Sequence, residues 1–169
     1  MAINFPEGTQ NEPSKILQAK IYHSGVQYAQ VAQTSGNANS VNMTTSNTTS
    51  VWTASFTPIV STSKIIGAYT CQEDAQGNGG WLVHNCFVGS SFLGGSARYA
   101  RHVAEEPYSQ VYQFEYDHNT SSAITFDMRY CSTANIYVIL GRTYNYNSSR
   151  DQRWYGYNTA LTLYEVSTT

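Results

Sequence analysis

The chain has 169 residues, of which 12 % are charged, and a formal net charge of −2, whereas ordinary soluble domains carry about 25 % charged residues. Its nine Lys and Arg are scattered, so the dense basic surface that neutralises phosphates is missing and nucleic acid is not an expected partner. No basic segment leads into an apolar stretch at the start, and no apolar run is long enough to cross a bilayer, so neither signal-peptide secretion nor a membrane span is expected.

The length suits one domain with its own core. Fourteen tyrosines favour strands and wet interfaces, where a ring packs while its hydroxyl finds a partner. Cys71, Cys86 and Cys131 are odd in number and each lies inside a strand-like run, which suits buried, reduced thiols made in a cytoplasm.

In chain order, residues 1–14 show neither helical nor strand periodicity and read as an extended arm. Pro6 and Pro13 push the residues before them towards extended conformations, and Ile3 and Phe5 supply an apolar tip. Residues 15–169 form the expected β domain. Strand candidates are 15–22 and 26–34, followed by a Ser, Asn and Thr-rich loop at 35–49 that is expected to be exposed.

The run 51–57 alternates strictly, with Trp52, Ala54 and Phe56 on one side and Val51, Thr53, Ser55 and Thr57 on the other, as a half-buried strand does. Pro58 ends it, residues 61–63 supply turn chemistry, and a second strand starts at Lys64. This strand, corner and strand reads as a paired two-stranded unit and is expected to lie at the centre of an antiparallel sandwich. Residues 72–80 read as a turn by composition, 81–88 as a strand, 89–95 as a break and 96–102 as a short strand.

Alternation returns at 108–118, where Tyr112, Phe114 and Tyr116 oppose Val111, Gln113, Glu115 and Asp117, and at 123–131, where Ile124, Phe126, Met128 and Tyr130 oppose Thr125, Asp127 and Arg129. Residues 136–140 are apolar on both faces, 143–158 form a long Tyr, Asn and Arg loop, and 160–166 make a last strand. Nine or ten strands without a substantial amphipathic helix predict an all-β, antiparallel two-sheet sandwich. A jelly-roll-like sandwich is preferred to a closed barrel, because two-sheet packing accommodates uneven strands and long corners.

Candidate chemistry is thin. His84 and Cys86 share a strand face, but zinc needs three or four ligands and no second close pair exists; a core Cys beside a hydrogen-bonded His is the better reading. Glu115, Asp117 and Asp127 fall on neighbouring strands in sequence and could present two carboxylates, as glycoside hydrolysis requires, but a solvated sheet face carrying Asp127 beside Arg129 is the better reading, because the acids sit opposite the aromatic sides of their own strands. Four Asn-x-Ser/Thr triplets occur in a chain rich in these residues and read as coincidence. No cofactor or metal is expected, nor an enzyme. The most functional-looking cluster is Arg142, Tyr144, Tyr146, Arg150, Arg153, Trp154, Tyr155 and Tyr157, residue types that both interfaces and sugar sites use; a self-packed loop of stacked Arg and Tyr is an equal alternative.

Three stretches carry a resemblance. M-A-I-N-F-P-E-G-T-Q with P-S-K-I-L-Q at 13–18, F-T-P-I-V-S-T-S-K-I-I at 56–66 and T-A-L-T-L-Y-E-V at 159–166 resemble small β-sandwich virion proteins of tailed bacteriophages, especially marine and cyanobacterial phages. The resemblance implies a non-enzymatic structural component of a virion made in the host cytoplasm: a capsid decoration (cement) protein or a fibre or knob protein, commonly a homotrimer. Its partner would be the major capsid protein or another virion protein. Ile3, Phe5, Pro6 and Pro13 would anchor it there, and the cluster at 142–157 could instead serve a glycan, as in an adhesin or carbohydrate-binding module.

Overall fold

The computed structural model describes residues 15–24, 28–30, 32–33, 43–77, 80–100, 108–133, 136–140 and 159–167. Eleven strands run through them: β1 Ile16–His23, β2 Tyr28–Gln30, β3 Ala32–Gln33, β4 Thr49–Phe56, β5 Lys64–Gly77, β6 Gly80–Val88, β7 Ser91–Ala100, β8 Tyr108–Asp117, β9 Ile124–Ser132, β10 Ile136–Leu140 and β11 Ala160–Val166.

One sheet places β1, β11, β5 and β8 side by side, since β11 and β8 both pair with residues 64–70 of β5 and so occupy its two edges. Beyond β11, strand β10 continues along the same edge of β5 at residues 73–77 and carries β2. The other sheet runs β4, β9, β6, β7, with the short β3 pairing parallel to the end of β9. The eight long strands are therefore nested antiparallel pairs. β6 pairs with β7, β5 with β8, β4 with β9 and β1 with β11, so the chain doubles back about its middle and wraps as a folded ribbon. That is the jelly roll.

The fold of the ribbon lies at Gly89-Ser90, where Val88 pairs with Ser91 and only two residues turn the chain. Gly89 takes φ 58, the left-handed conformation that a tight hairpin demands and glycine adopts without strain. The alternating runs face inwards as expected: Trp52, Ala54 and Phe56 from β4 meet Met128, Phe126 and Ile124 of β9 in register and form the core with Ile65, Tyr69, Tyr112, Phe114, Leu161 and Leu163 of the opposite sheet. The Tyr69 and Tyr130 hydroxyls, 2.5 Å apart, join the two sheets through the buried interior, and the rings of Phe114 and Phe126 stack across it at 5.8 Å.

Several sequence expectations are corrected. β4 and β5 do not pair with each other. β5 is central in one sheet, while β4 lies beside β9 in the other, so residues 57–63 cross between sheets. The polar run after Cys71 is not a turn, because β5 continues to Gly77, bonded to Tyr108 on one side and to β10 on the other. The break expected at 89–95 shrinks to the two-residue turn, and β7 runs from Ser91 to Ala100. Its glycines admit close approach: a Cβ on Gly95 would meet the His84 carbonyl oxygen at 2.2 Å. The loop before β4 is not simply exposed, since Thr48 is buried.

Candidate assembly surface

The corner at 57–63 is held by a carboxylate. On β11, Leu161, Leu163 and Glu165 are buried, and Glu165 follows the two leucines in alternation, so the period of the strand turns a charge towards the interior. Ile59 N–H donates to both of its oxygens (2.9 and 2.8 Å), Val60 N–H to Oε1 (2.8 Å), the Ser63 hydroxyl to Oε1 (2.6 Å) and the Gln18 amide to Oε2 (2.6 Å). Burial alone would raise the carboxyl, but the bonds from Ser63, Ile59, Val60 and Gln18 outweigh it and hold the group below its ordinary value. Ser63 Oγ also lies 3.0 Å from His118 Nε2, whose Nδ1 is 2.8 Å from the Thr120 carbonyl. The clamp presents Ile59 and Val60 outwards, 61 % and 41 % exposed.

β1 lies across β4 at the same end. Its inward side chains reach over: Gln18 donates to the Thr57 carbonyl, the Tyr22 hydroxyl to the Ser55 carbonyl, and Lys20 Nζ stands 5.5 Å from the Phe56 ring centroid. The outward face of this sheet is poor in charge. Ala19, Tyr164, Ile66 and Glu115 form one row across β1, β11, β5 and β8; Ile21, Thr162, Ala68 and Gln113 form the next; His23, Ala160, Thr70 and Val111 the third. Ile21 and Val111 are 63 % and 59 % exposed. A solvated sheet face ordinarily alternates to polar side chains, so this one has the make-up of a contact surface. Lys64, paired with Glu115 at 2.8 Å and Asp117 at 3.8 Å, closes its end.

The outer face of the other sheet is partly covered by the chain itself. Arg129 donates to Thr48 Oγ1, to the carbonyls of Thr45 and Thr48 and to Asp127 Oδ2, the last at 2.6 Å, and Cys131 Sγ lies 3.5 Å from Met43 Sδ. Residues 43–48 are thereby strapped over β9. On β6 and β7 of the same sheet, Trp81 and Tyr99 meet edge to face with ring centroids 5.8 Å apart, and Tyr99 is 51 % exposed.

The carboxylates weighed for hydrolysis do not converge. Glu115 and Asp117 stand on β8 with Lys64, while Asp127 stands on β9 in the opposite sheet with Arg129 and Ser50; adjacency in sequence hid a change of sheet. His84 and Cys86 share the inner face of β6. The imidazole of His84 packs on Tyr130 and its Nδ1 is 3.5 Å from Cys71 Sγ. Burial, helped by the charge of Asp127, pushes the Cys86 thiol far up, and burial pushes that of Cys131 up to about 11. Among the described residues no group of three His, Cys, Asp or Glu is placed to hold a metal.

Ile3, Phe5, Pro6 and Pro13, and the whole cluster from Arg142 to Tyr157, including Tyr144, Tyr146, Arg153, Trp154 and Tyr155, lie outside the described residues. The Glu165 clamp was missed by sequence reasoning, yet it has a signature: a lone acid in phase with two leucines.

No family model matches the chain and no curated protein matches it. Among solved structures it is similar to that of the infectious bursal disease virus Gx strain, with TM-score 0.44, 12 % identity and coverage of 100 % of this chain and 42 % of that one. It is also similar to the infectious bursal disease virus VP2 subviral particle, with TM-score 0.43, 11 % identity and coverage of 100 % and 42 %. The chain spans less than half the length of these proteins. The strand order, not this likeness, identifies the jelly roll.

Proposed function

We propose that the protein is a non-enzymatic structural component of a virion, a capsid decoration (cement) protein that assembles as a homotrimer and is anchored by residues 1–14. The observation that carries the reading is the charge-poor outward face of the β1, β11, β5 and β8 sheet, with Ile21, Ile66, Tyr164 and Val111 where a free-standing sandwich would be polar. Jelly rolls serve viral capsids and lectins alike, and a fold by itself does not choose between them. The resemblance of the stretches at 1–18, 56–66 and 159–166 to small phage virion proteins favours the particle.

In this reading Ile3 and Phe5 enter an apolar groove on the major capsid protein or another virion protein, and Pro6 and Pro13 reduce the entropy lost when the arm orders. Purified particles carrying the chain provide the test: it should be recovered from the shell in fixed stoichiometry, and its recovery only from tail tips, or from no particle, overturns the assignment. A second reading, a fibre or knob adhesin, is favoured by the Trp81 and Tyr99 pair, which would offer rings to a sugar face, and by the composition of the Arg142 to Tyr157 cluster. Glycan binding abolished by Trp81→Ala supports it.

A further inference from the structure

We infer that the open edge of β1 pairs with the same edge of a second copy, antiparallel and centred on Ile21. Among the described residues, β1 has β11 on one side and no strand on the other.

The hydrogen-bonding phase of this edge follows from the pairing with β11. Ser24 N–H donates to the Thr159 carbonyl at 3.0 Å, and His23 is opposite Ala160, so residues 24 and 159 are a directly bonded pair. Bonded and non-bonded pairs alternate along an antiparallel ladder. Tyr22, Lys20 and Gln18 thus turn their backbone groups to β11, whereas Ala19, Ile21 and His23 turn theirs to the open side. All three are exposed. A ladder of this kind is a template for another strand.

The occupant is chosen by charge and register. Pairing that joins the open groups of two copies must match odd residues with odd residues. Centred on Ile21, it places Ile21 against its own counterpart, Ala19 against His23, Lys20 against Tyr22 and Gln18 against Ser24, with no like charges opposed. Centred on Lys20, it would set the two ammonium groups against each other. A shift further towards the start runs into the irregularity between Ile16 and Gln18, and a shift the other way shortens the ladder. The favoured register also brings the two Ile21 side chains together on the outward face, where each is otherwise 63 % exposed. Two six-stranded sheets become one continuous sheet. The contact is two-fold, so it adds to any three-fold assembly; it shares Ile21 with the outward face on which the proposed place in a particle rests, and cross-linking at position 21 tells the two apart.

The test uses cysteine cross-linking and mass measurement on the full chain. In a bonded antiparallel pair the opposed Cα atoms are about 5.5 Å apart, within the roughly 4.4–6.8 Å that a disulfide spans. The natural cysteines are buried and form no disulfide. Ile21→Cys should therefore cross-link to a covalent pair under mild oxidation while Ala19→Cys, facing His23, does not. Ile21→Pro removes an N–H that has no partner in β1 and β11 and should halve the mass in solution. Ile21→Lys, which keeps every backbone group, should do the same with melting unchanged. Equal cross-linking of Ala19→Cys, absence of cross-linking in Ile21→Cys, or an unaltered mass in Ile21→Lys overturns the proposal. Loss of mass in Ile21→Pro without a cross-link in Ile21→Cys also overturns it, because some other strand then occupies the edge.

Discussion

Gln18 and Glu165 stand directly opposite each other in the register of β1 and β11 and share a 2.6 Å hydrogen bond from amide to carboxylate. Because the same carboxylate holds Ile59, Val60 and Ser63, one side chain binds the first long strand, the last strand and the corner between sheets. Glu165→Ala should cost about 2–4 kcal/mol in urea unfolding, since it strands several buried donors at once. Glu165→Gln should cost less and spare part of the network.

The clamp also sets a pH dependence. Its folded carboxyl titrates below the ordinary value of 4.5, so the unfolded chain binds more protons in that region and stability rises with pH. The contribution is complete above the ordinary value and is lost as pH falls through the depressed one. Thermal melting of the wild type should therefore drop on acidification below that value, and Glu165→Gln should reduce the slope.

Arg129 straps residues 43–48 to β9 through bonds to Thr45 and Thr48, and Asp127 braces its guanidinium from within β9. Lysine cannot reproduce a planar fork that serves all of them. Arg129→Lys should destabilise by about 1–2 kcal/mol, and hydrogen exchange should rise selectively at 43–48.

Gly95→Ala should be among the most damaging single methyl additions. The added carbon meets the His84 carbonyl at 2.2 Å and Asn85 Oδ1 at 2.9 Å, and the carbonyl belongs to the neighbouring strand. A loss of about 2–4 kcal/mol is expected in urea melts.

Cys71, Cys86 and Cys131 are buried and form no disulfide, and burial disfavours the thiolates of Cys86 and Cys131. A thiol reagent at neutral pH should label none of the three rapidly in the folded protein and all of them in denaturant. Arg129→Lys should expose Cys131 first, because the strap it holds includes Met43, which touches that sulfur.

Deleting residues 1–13, or changing Ile3 and Phe5 to Ser, should leave melting nearly unchanged and release the protein from particles. Burial of one Phe and one Ile could contribute roughly 3–6 kcal/mol per arm before ordering costs, multiplied by effective concentration in an oligomer. Full occupancy by the truncated protein, or failure to fold, contradicts the anchor.

The inward and outward sides of most long strands were legible, because Ile124, Phe126, Met128 and Tyr130 or Tyr112, Phe114 and Tyr116 announce a buried face by period alone. Which sheet each strand joins was not. Alternation in 51–57 and the apolar run from 64 look the same whether the two segments pair or cross, and the crossing is set by Glu165, a residue more than a hundred positions away. The polar tail of β5, from Gln72 to Gly77, carries no strand signal of its own; β8 and β10 confer its extended form by pairing with it. Likewise Glu115 and Asp127 read as neighbours only while β8 and β9 were assumed to share a sheet.

The nested pairing has a kinetic consequence. Ile16 meets Val166 and Trp52 meets Met128, so each outer layer of the ribbon joins segments far apart in the chain, and closing such loops before any reward is slow. During translation the hairpin of β6 and β7 can form first, then β5 with β8 and β4 with β9 as each partner emerges. β1, although made before the other ten strands described, waits with both ladder edges open until residues 160–166 have left the ribosome.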